Sequence, residues 1–374
     1  MKIELQDNNK VILLSNGKKL EIHPLWLRER VNNKDLVDQL TEQRIYDPTT
    51  LNNKIKIKKA YIDNIYLKVE FSDGISSFYN IKDLCKELDI KNSKCGHIKK
   101  RTLWDSGLIN KPIVEFQKNF ESKETLNMLK KFYEYGFVII KNVPTENNFI
   151  INFANSIGSI RPTNFGVYFD VKSIPNYNDL AYTSKHLLPH TDNPYRKPVP
   201  CVQLLHCIEN EVSGGFSTLV DGFKVASFMR ENYKDYFDIL TSVKVRFRFV
   251  DKDIILENWG ELLEIDEENN LKQVRYNTKI EYVPHINKDE LDLFYKARNK
   301  MGELCCSKDY EIKFKLMKGD LLMMDNYRTL HGRTSYNPKE GMRHLKGCYI
   351  DYDSSEGKLN HLIRKFKLEN VTNQ

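Results

Sequence analysis

The reading of this chain turns on residues Pro189 to Cys207, PHTDNPYRKPVPCVQLLHC. The stretch opens on His190 and Asp192, an imidazole and a carboxylate two residues apart. Side chains alternate between faces in an extended segment, so the two reach the same side. Two such groups on one side are two corners of a triangular face on a metal ion. Alone the pair is weak evidence, because His-x-Asp recurs by chance and a surface loop carries it harmlessly.

A third corner comes from far along the chain, in GDLLMMDNYRTLHGRTSY, Gly319 to Tyr336. The apolar run Leu321 to Met324, the polar turn Asp325 to Thr329 and then Leu330 and His331 predict a buried strand, a turn and a second strand beginning at the histidine. Twelve residues beyond stands Arg343, in GMRHLKGCYID. Its planar fork binds a carboxylate through two parallel hydrogen bonds. A face of two histidines and one carboxylate leaves the opposite metal positions open, as in non-haem Fe(II) oxygenases. His190, Asp192, His331 and Arg343 therefore read as a metal plus an anchor for an acidic co-substrate.

The 374 residues suit one large domain and a small one. With 40% hydrophobic and 29% charged residues the composition is that of a globular protein. No apolar run is long enough to span a bilayer, and the start MKIELQDNNK is too polar for a signal peptide. Seven cysteines without framework spacing suit a reducing compartment, read as the cytoplasm. The net charge of +7 is spread along the chain rather than gathered in a basic face, which argues against nucleic acid as partner.

Residues 1–95 read as a small β-rich unit, with a hairpin around Asn16-Gly17, strands at 61–65 and 66–71 and a helix at 81–88. Residues 96–120 read as a linker. Residues 121–374 read as a catalytic domain, with a helix capped by Ser122 and ended by Gly136, a buried strand at 137–140 and a helix at 145–157. Strands dominate after residue 160, interrupted by helices at 224–240 and 288–303. The fold class is mainly β with flanking helices, the catalytic part a double-stranded β-helix, or jelly roll.

Six blocks carry a resemblance: LWLRER (Leu25 to Arg30), AYTSKHLLPHTDNPYR (Ala181 to Arg196), QLLHC (Gln203 to Cys207), VDGF (Val220 to Phe223), LHGR (Leu330 to Arg333) and RHLKGCYID (Arg343 to Asp351). Through them the chain resembles the γ-butyrobetaine dioxygenase family, within the taurine dioxygenase-like Fe(II)/2-oxoglutarate oxygenases. The resemblance implies an enzyme that holds Fe(II) on His190, Asp192 and His331 and uses 2-oxoglutarate and O2, with ascorbate as a candidate reductant. It implies Arg343 on the far carboxylate of 2-oxoglutarate, with Leu205 and Ser217 beside that co-substrate. His206 and His344 fall in the same blocks and are expected to pack or to support the site, and the resemblance implies a homodimer. The family's structural zinc is not expected here, because Arg30 to Pro48 contains neither Cys nor His.

The substrate implied is a small trimethylammonium acid, first γ-butyrobetaine on the way to carnitine. A trimethylammonium group offers no ordinary hydrogen bond, so aromatic faces must hold it, each desolvated contact contributing up to about 2 kcal/mol. The family's cage maps onto Phe165, Phe169, Tyr182 and Tyr349, with Asp179 near the cation. Phe165 and Phe169 stand where the family carries Tyr and Trp, which leaves substrate identity open. Trimethyllysine or a trimethylammonium alkylphosphonate is the alternative substrate, and a non-enzymatic metal-binding sensor is the alternative of another class. The aromatics alone do not decide, since residues of this type also fill cores.

Overall fold

The structure, a computed structural model, describes residues 2–5, 11–15, 18–88, 101–146, 148–172 and 184–372. The chain divides into two compact units, Met1–Lys99 and Lys100–Gln374.

The described residues of the first unit form two three-stranded antiparallel sheets. One consists of Lys2–Leu5, Val11–Ser15 and Lys18–Ile22, with Ser15 opposite Lys18, and the Asn16-Gly17 turn expected between them lies outside the described residues. The other consists of Ile57–Asp63, Tyr66–Phe71 and Ser76–Asn80. The outer strands Lys2–Leu5 and Ser76–Asn80 were not among the sequence expectations. Val11, Ile22, Leu27, Ile57, Leu67, Val69 and Phe71 close the core, and helix Ile81–Leu88 adds Ile81 and Leu84 to it.

The described residues of the second unit form four sheets, a three-stranded one around Lys244–Val250, a two-stranded one of Leu263–Ile265 and Leu271–Val274, and two larger ones that carry the site. Of these last two, the smaller runs in the order Leu187–His190, Thr329–Arg333, Ser217–Asp221, Glu311–Phe314. The larger runs in the order Ile113–Glu115, Phe137–Lys141, Leu321–Asp325, Val202–Asn210, Arg343–Ile350, Phe169–Lys172. Strands consecutive in space come from distant parts of the chain, and almost all pairs are antiparallel, the Ile113–Glu115 pairing being parallel. Leu219 of the smaller sheet meets Phe137, Ile139, Cys207, Leu322, Met324 and Leu345 of the larger one, so the two sheets face each other across a shared core. This is the jelly roll.

Helices cover the outer faces. Lys123–Tyr135, capped by Ser122, packs on the Phe137–Lys141 strand and on Tyr352–Thr372, a long C-terminal helix that sequence reading did not register. Gly136 ends the first of these at φ +76, a left-handed value that glycine adopts without strain. A Cβ there would also meet Arg328 Cδ at 2.9 Å.

Two expectations need correction. The stretch 96–120 is not a free linker in its described part: Trp104 is 4% exposed and packs edge-on against Phe137 at 5.2 Å, and Ile113–Glu115 joins the larger sheet. A single helix over 224–240 is two, Gly222–Asn232 and Lys234–Ser242, because Tyr233 leaves helical conformation at φ −140, ψ 59.

Candidate active site

His190 ends its strand directly opposite His331 in the antiparallel ladder. Cross-strand partners bring their side chains together, and the two rings lie 4.4 Å apart between centroids. Asp192 follows two residues later, with Oδ1 3.4 Å from His190 Nε2 and 3.7 Å from His331 Nε2. One donor atom from each residue lies within 4.8 Å of the others. His190 Nδ1 sits 2.9 Å from the Leu188 carbonyl, so it carries the proton and leaves the Nε2 lone pair free. Burial pulls His331 down to about 4, which keeps its imidazole in the neutral, ligating form. Burial alone would raise Asp192, but His331, His190 and the Tyr349 hydroxyl outweigh it and hold the carboxyl well below the usual carboxylate range. Donor types and spacing fit one divalent metal with an open side, the facial triad of a mononuclear Fe(II) centre that works with 2-oxoglutarate and O2.

The second carboxylate oxygen is held separately. Asp192 Oδ2 accepts from Gln203 Nε2 at 2.6 Å and from the Tyr349 hydroxyl at 2.7 Å. Gln203 and Tyr349 are register partners on adjacent strands and share the inner face of the larger sheet. Tyr349 also accepts from Asn193 Nδ2 at 3.1 Å, and Tyr195 donates to Asn193 Oδ1 at 2.6 Å.

Arg343 begins the strand that ends near Tyr349, and period two puts both on the same inner face. It is 5% exposed; its Nε donates to the Gly215 carbonyl at 3.3 Å, and its Nη1 is buried with no hydrogen-bond partner among the described residues. Burial, then the neighbouring Arg333, push Arg343 down to about 10. Arg333 and Arg343 both lie over the Tyr336 ring, at 5.1 and 5.5 Å. Two neighbouring buried guanidinium groups suit an anionic ligand. Arg333 follows His331 by two residues and so shares its face; it stood in the LHGR block, and that spacing was the signal for it.

Leu205 lies on the inner face beside Gln203, its Cδ2 3.2 Å from the place a Cβ on Gly347 would occupy. Ser217 is 7% exposed and pairs in register with Arg333. Phe165, Phe169 and Tyr349 come together, with ring centroids 6.4 Å and 5.5 Å apart in that order. Phe249, which sequence reading left unassigned, extends this wall at 5.9 Å from Phe165 and stacks on Tyr195 at 4.9 Å. Asp179 and Tyr182 lie outside the described residues. His206 is fully buried and pulled down to about 4 by that burial, while His344 meets Asp170 at 2.6 Å.

A family model described as taurine catabolism dioxygenase TauD, TfdA family, matches residues 106–349. The γ-butyrobetaine dioxygenase of Pseudomonas sp. is 29% identical over 347 residues, covering 91% of this chain and 90% of that protein. The mitochondrial trimethyllysine dioxygenase of Rattus norvegicus is 31% identical over 343 residues, covering 88% and 80%. The γ-butyrobetaine dioxygenase of Homo sapiens is 27% identical over 352 residues, covering 91% of each. The cytoplasmic location expected from the sequence is withdrawn, because trimethyllysine dioxygenases similar to this chain carry a mitochondrial designation. Cysteine usage reports a reducing environment and cannot say which reducing compartment it is.

Proposed function

The chain belongs to the TauD, TfdA family of Fe(II)- and 2-oxoglutarate-dependent dioxygenases, and from that premise we propose that it hydroxylates a small trimethylammonium acid, γ-butyrobetaine first, giving carnitine. One observation carries the reading. The aromatic wall of Phe165, Phe169 and Tyr349 stands directly beside the metal carboxylate, since Tyr349 itself bonds Asp192. Aromatic faces attract a quaternary ammonium that no hydrogen bond can hold. Relatives named for γ-butyrobetaine and for trimethyllysine support the substrate class, because both molecules carry that group. Trimethyllysine is the second reading, favoured by a relative of equal similarity, and a trimethylammonium alkylphosphonate is the third. Phe165 and Phe169 are weaker cation–π partners than Tyr or Trp, which favours a modest affinity.

In the proposed mechanism His190, Asp192 and His331 hold the iron. Bound iron, with 2-oxoglutarate and O2, supplies the oxidation: 2-oxoglutarate becomes succinate and CO2, and one oxygen atom enters a C–H bond of the substrate. Arg343 takes the far carboxylate of 2-oxoglutarate, with Arg333 adding positive potential and Leu205 and Ser217 walling the chain of the co-substrate. Gln203 and Tyr349 orient the Asp192 carboxylate. The aromatic wall would hold the cation beside the metal ligands, the role the resemblance also gives to Asp179 and Tyr182, and its apolar faces would limit the access of water. A homodimer is part of the same proposal.

The test is a panel of γ-butyrobetaine, trimethyllysine, other betaines and alkylphosphonates, scored by substrate-dependent succinate formation with Fe(II), 2-oxoglutarate and ascorbate. Hydroxylated product from γ-butyrobetaine is expected. Succinate formation that no trimethylammonium compound raises above the blank would sink the assignment, and a sensor would make no succinate at all.

A further inference from the structure

The residues that hold the metal are themselves held, and one buried amide links two of the three. After His190 the chain leaves the smaller sheet, so the peptide groups of Asp192 have no strand to pair with. Asn326 takes the place of that strand. Its Oδ1 accepts from the Asp192 backbone N–H at 2.7 Å, and its Nδ2 donates back to the Asp192 carbonyl at 2.9 Å. The second hydrogen of Nδ2 goes to the Pro200 carbonyl at 2.8 Å, and the Asn326 backbone N–H goes to the Cys201 carbonyl at 2.7 Å. The residue is 0% exposed. One side chain thus satisfies both backbone groups of a metal ligand, because an amide offers an acceptor and two donor hydrogens side by side on one planar group.

The place of Asn326 in the chain gives these bonds their meaning. It sits in the turn between the Leu321–Asp325 strand and the Thr329–Arg333 strand that carries His331. That turn is fixed on its other side by Arg328, which is 1% exposed and pairs with Asp221 at 2.7 Å. The amide therefore ties the segment of the carboxylate ligand to the segment that delivers the second histidine. On the far side Thr191 is pinned too, its N–H donating to the Tyr276 carbonyl at 2.8 Å while its Oγ1 accepts from the Tyr276 N–H at 2.9 Å.

We infer that Asn326 is a positioning residue of the metal centre, setting where Asp192 stands relative to His331 and thereby how tightly a divalent cation binds. The inference rests on the metal-binding part of the proposed function and not on the substrate. Groups that orient metal ligands typically change affinity 10- to 100-fold when removed.

The test uses the full chain, with Mn(II) and Co(II) as probes in titration calorimetry, well below the unfolding temperature. Asn326→Asp keeps the shape and the acceptor but faces two carbonyls with an oxygen. Asn326→Ala removes the clamp. Ser355→Ala is the control, since Ser355 is 0% exposed, bonds Tyr133 at 2.7 Å and belongs to the helical layer. Both Asn326 variants should bind Mn(II) about 10- to 100-fold more weakly, while Ser355→Ala lowers the unfolding temperature and leaves Mn(II) affinity within twofold. Should Asn326→Ala fail to fold, Asn326→Asp alone decides. Folded variants that bind Mn(II) as the parent does would overturn the inference, even if their unfolding temperatures fall. A failed betaine panel would leave this result untouched, whereas a parent chain that binds neither ion would remove both.

Discussion

Tyr349 donates its hydroxyl to Oδ2 of Asp192 at 2.7 Å while its ring lies 5.5 Å from that of Phe169. The same side chain therefore lines the aromatic wall and orients a metal ligand. Its phenol remains protonated at ordinary pH, because burial and then the Asp192 charge raise it well above the tyrosine range.

Tyr349→Phe separates the two roles. The ring stays, so substrate affinity should change by no more than about threefold, while kcat falls roughly 10- to 100-fold with the loss of a ligand-orienting bond. Product and succinate measured together should show more succinate made per hydroxylation. Unaltered kcat and coupling would mean the hydroxyl has no part in the site.

Arg343→Met should weaken 2-oxoglutarate binding about 10- to 100-fold, the worth of a hydrogen-bonded charge pair in a buried pocket. The loss should vanish for 2-oxobutyrate, which lacks the second carboxylate. An equal loss for both acids, read by calorimetry, would place the guanidinium elsewhere than on that carboxylate.

Metal should stabilise the fold by linkage. At a concentration 100 times its dissociation constant, Mn(II) adds about 2.7 kcal/mol, which corresponds to roughly 5–10 °C in Tm for a unit of this size. His331→Ala should abolish the shift, and chelation should reverse it in the parent protein. A shift that survives in His331→Ala points to binding at another place.

Gly347 approaches the aromatic wall so closely that a Cβ there would overlap the Phe169 ring. Gly347→Ala must push that ring aside. The KM for the proposed trimethylammonium substrate should rise several-fold, with 2-oxoglutarate affinity in the absence of substrate altered less. Steady-state kinetics on both substrates checks it.

Asp325 gives a pH dependence whose sign is fixed. Burial raises its carboxyl to about 6, against the opposing charges of Arg101 and Arg328, with Asp221 adding to the rise. An unfolded carboxyl titrates near about 3.9. The folded chain then holds a proton that the unfolded chain has lost, so this contribution is complete below about 4 and is lost as pH rises through about 6. It amounts to something on the order of 2–3 kcal/mol. Asp325→Asn keeps the acceptor for the Tyr327 N–H and should flatten the urea-denaturation stability between those pH values. A slope unchanged in the variant would rule Asp325 out.

The metal ligands were legible because alternation along an extended segment is a local rule: His190 and Asp192 declare themselves two residues apart. His331 needed only the residue type and a strand signal. Gln203 and Asn326 were not legible. An amide has no periodic signature: Gln203 reaches Asp192, eleven residues back, only through the way the chain folds over between them, and Asn326 reaches it across 134 residues. The hydroxyl partner of Tyr349 was hidden for the same reason, although its ring was expected in the wall. Trp104 was taken for part of a linker because short irregular stretches carry no repeat, and its burial comes from Phe137 and the other core residues that the fold brings to it. The helix break at Tyr233 left no mark on the apolar spacing over 224–240.

Among the described residues Leu187–His190 is an outermost strand of four residues, its ladder to Thr329–Arg333 interrupted by an irregularity between Leu187 and His190. Unsatisfied outer strands invite pairing with other chains. An ion shared by His190 and His331 would stitch this margin to its neighbour at its weakest point. Chelated protein, rather than loaded protein, is thus the form in which fraying, nicking by proteases and sticking between molecules should begin.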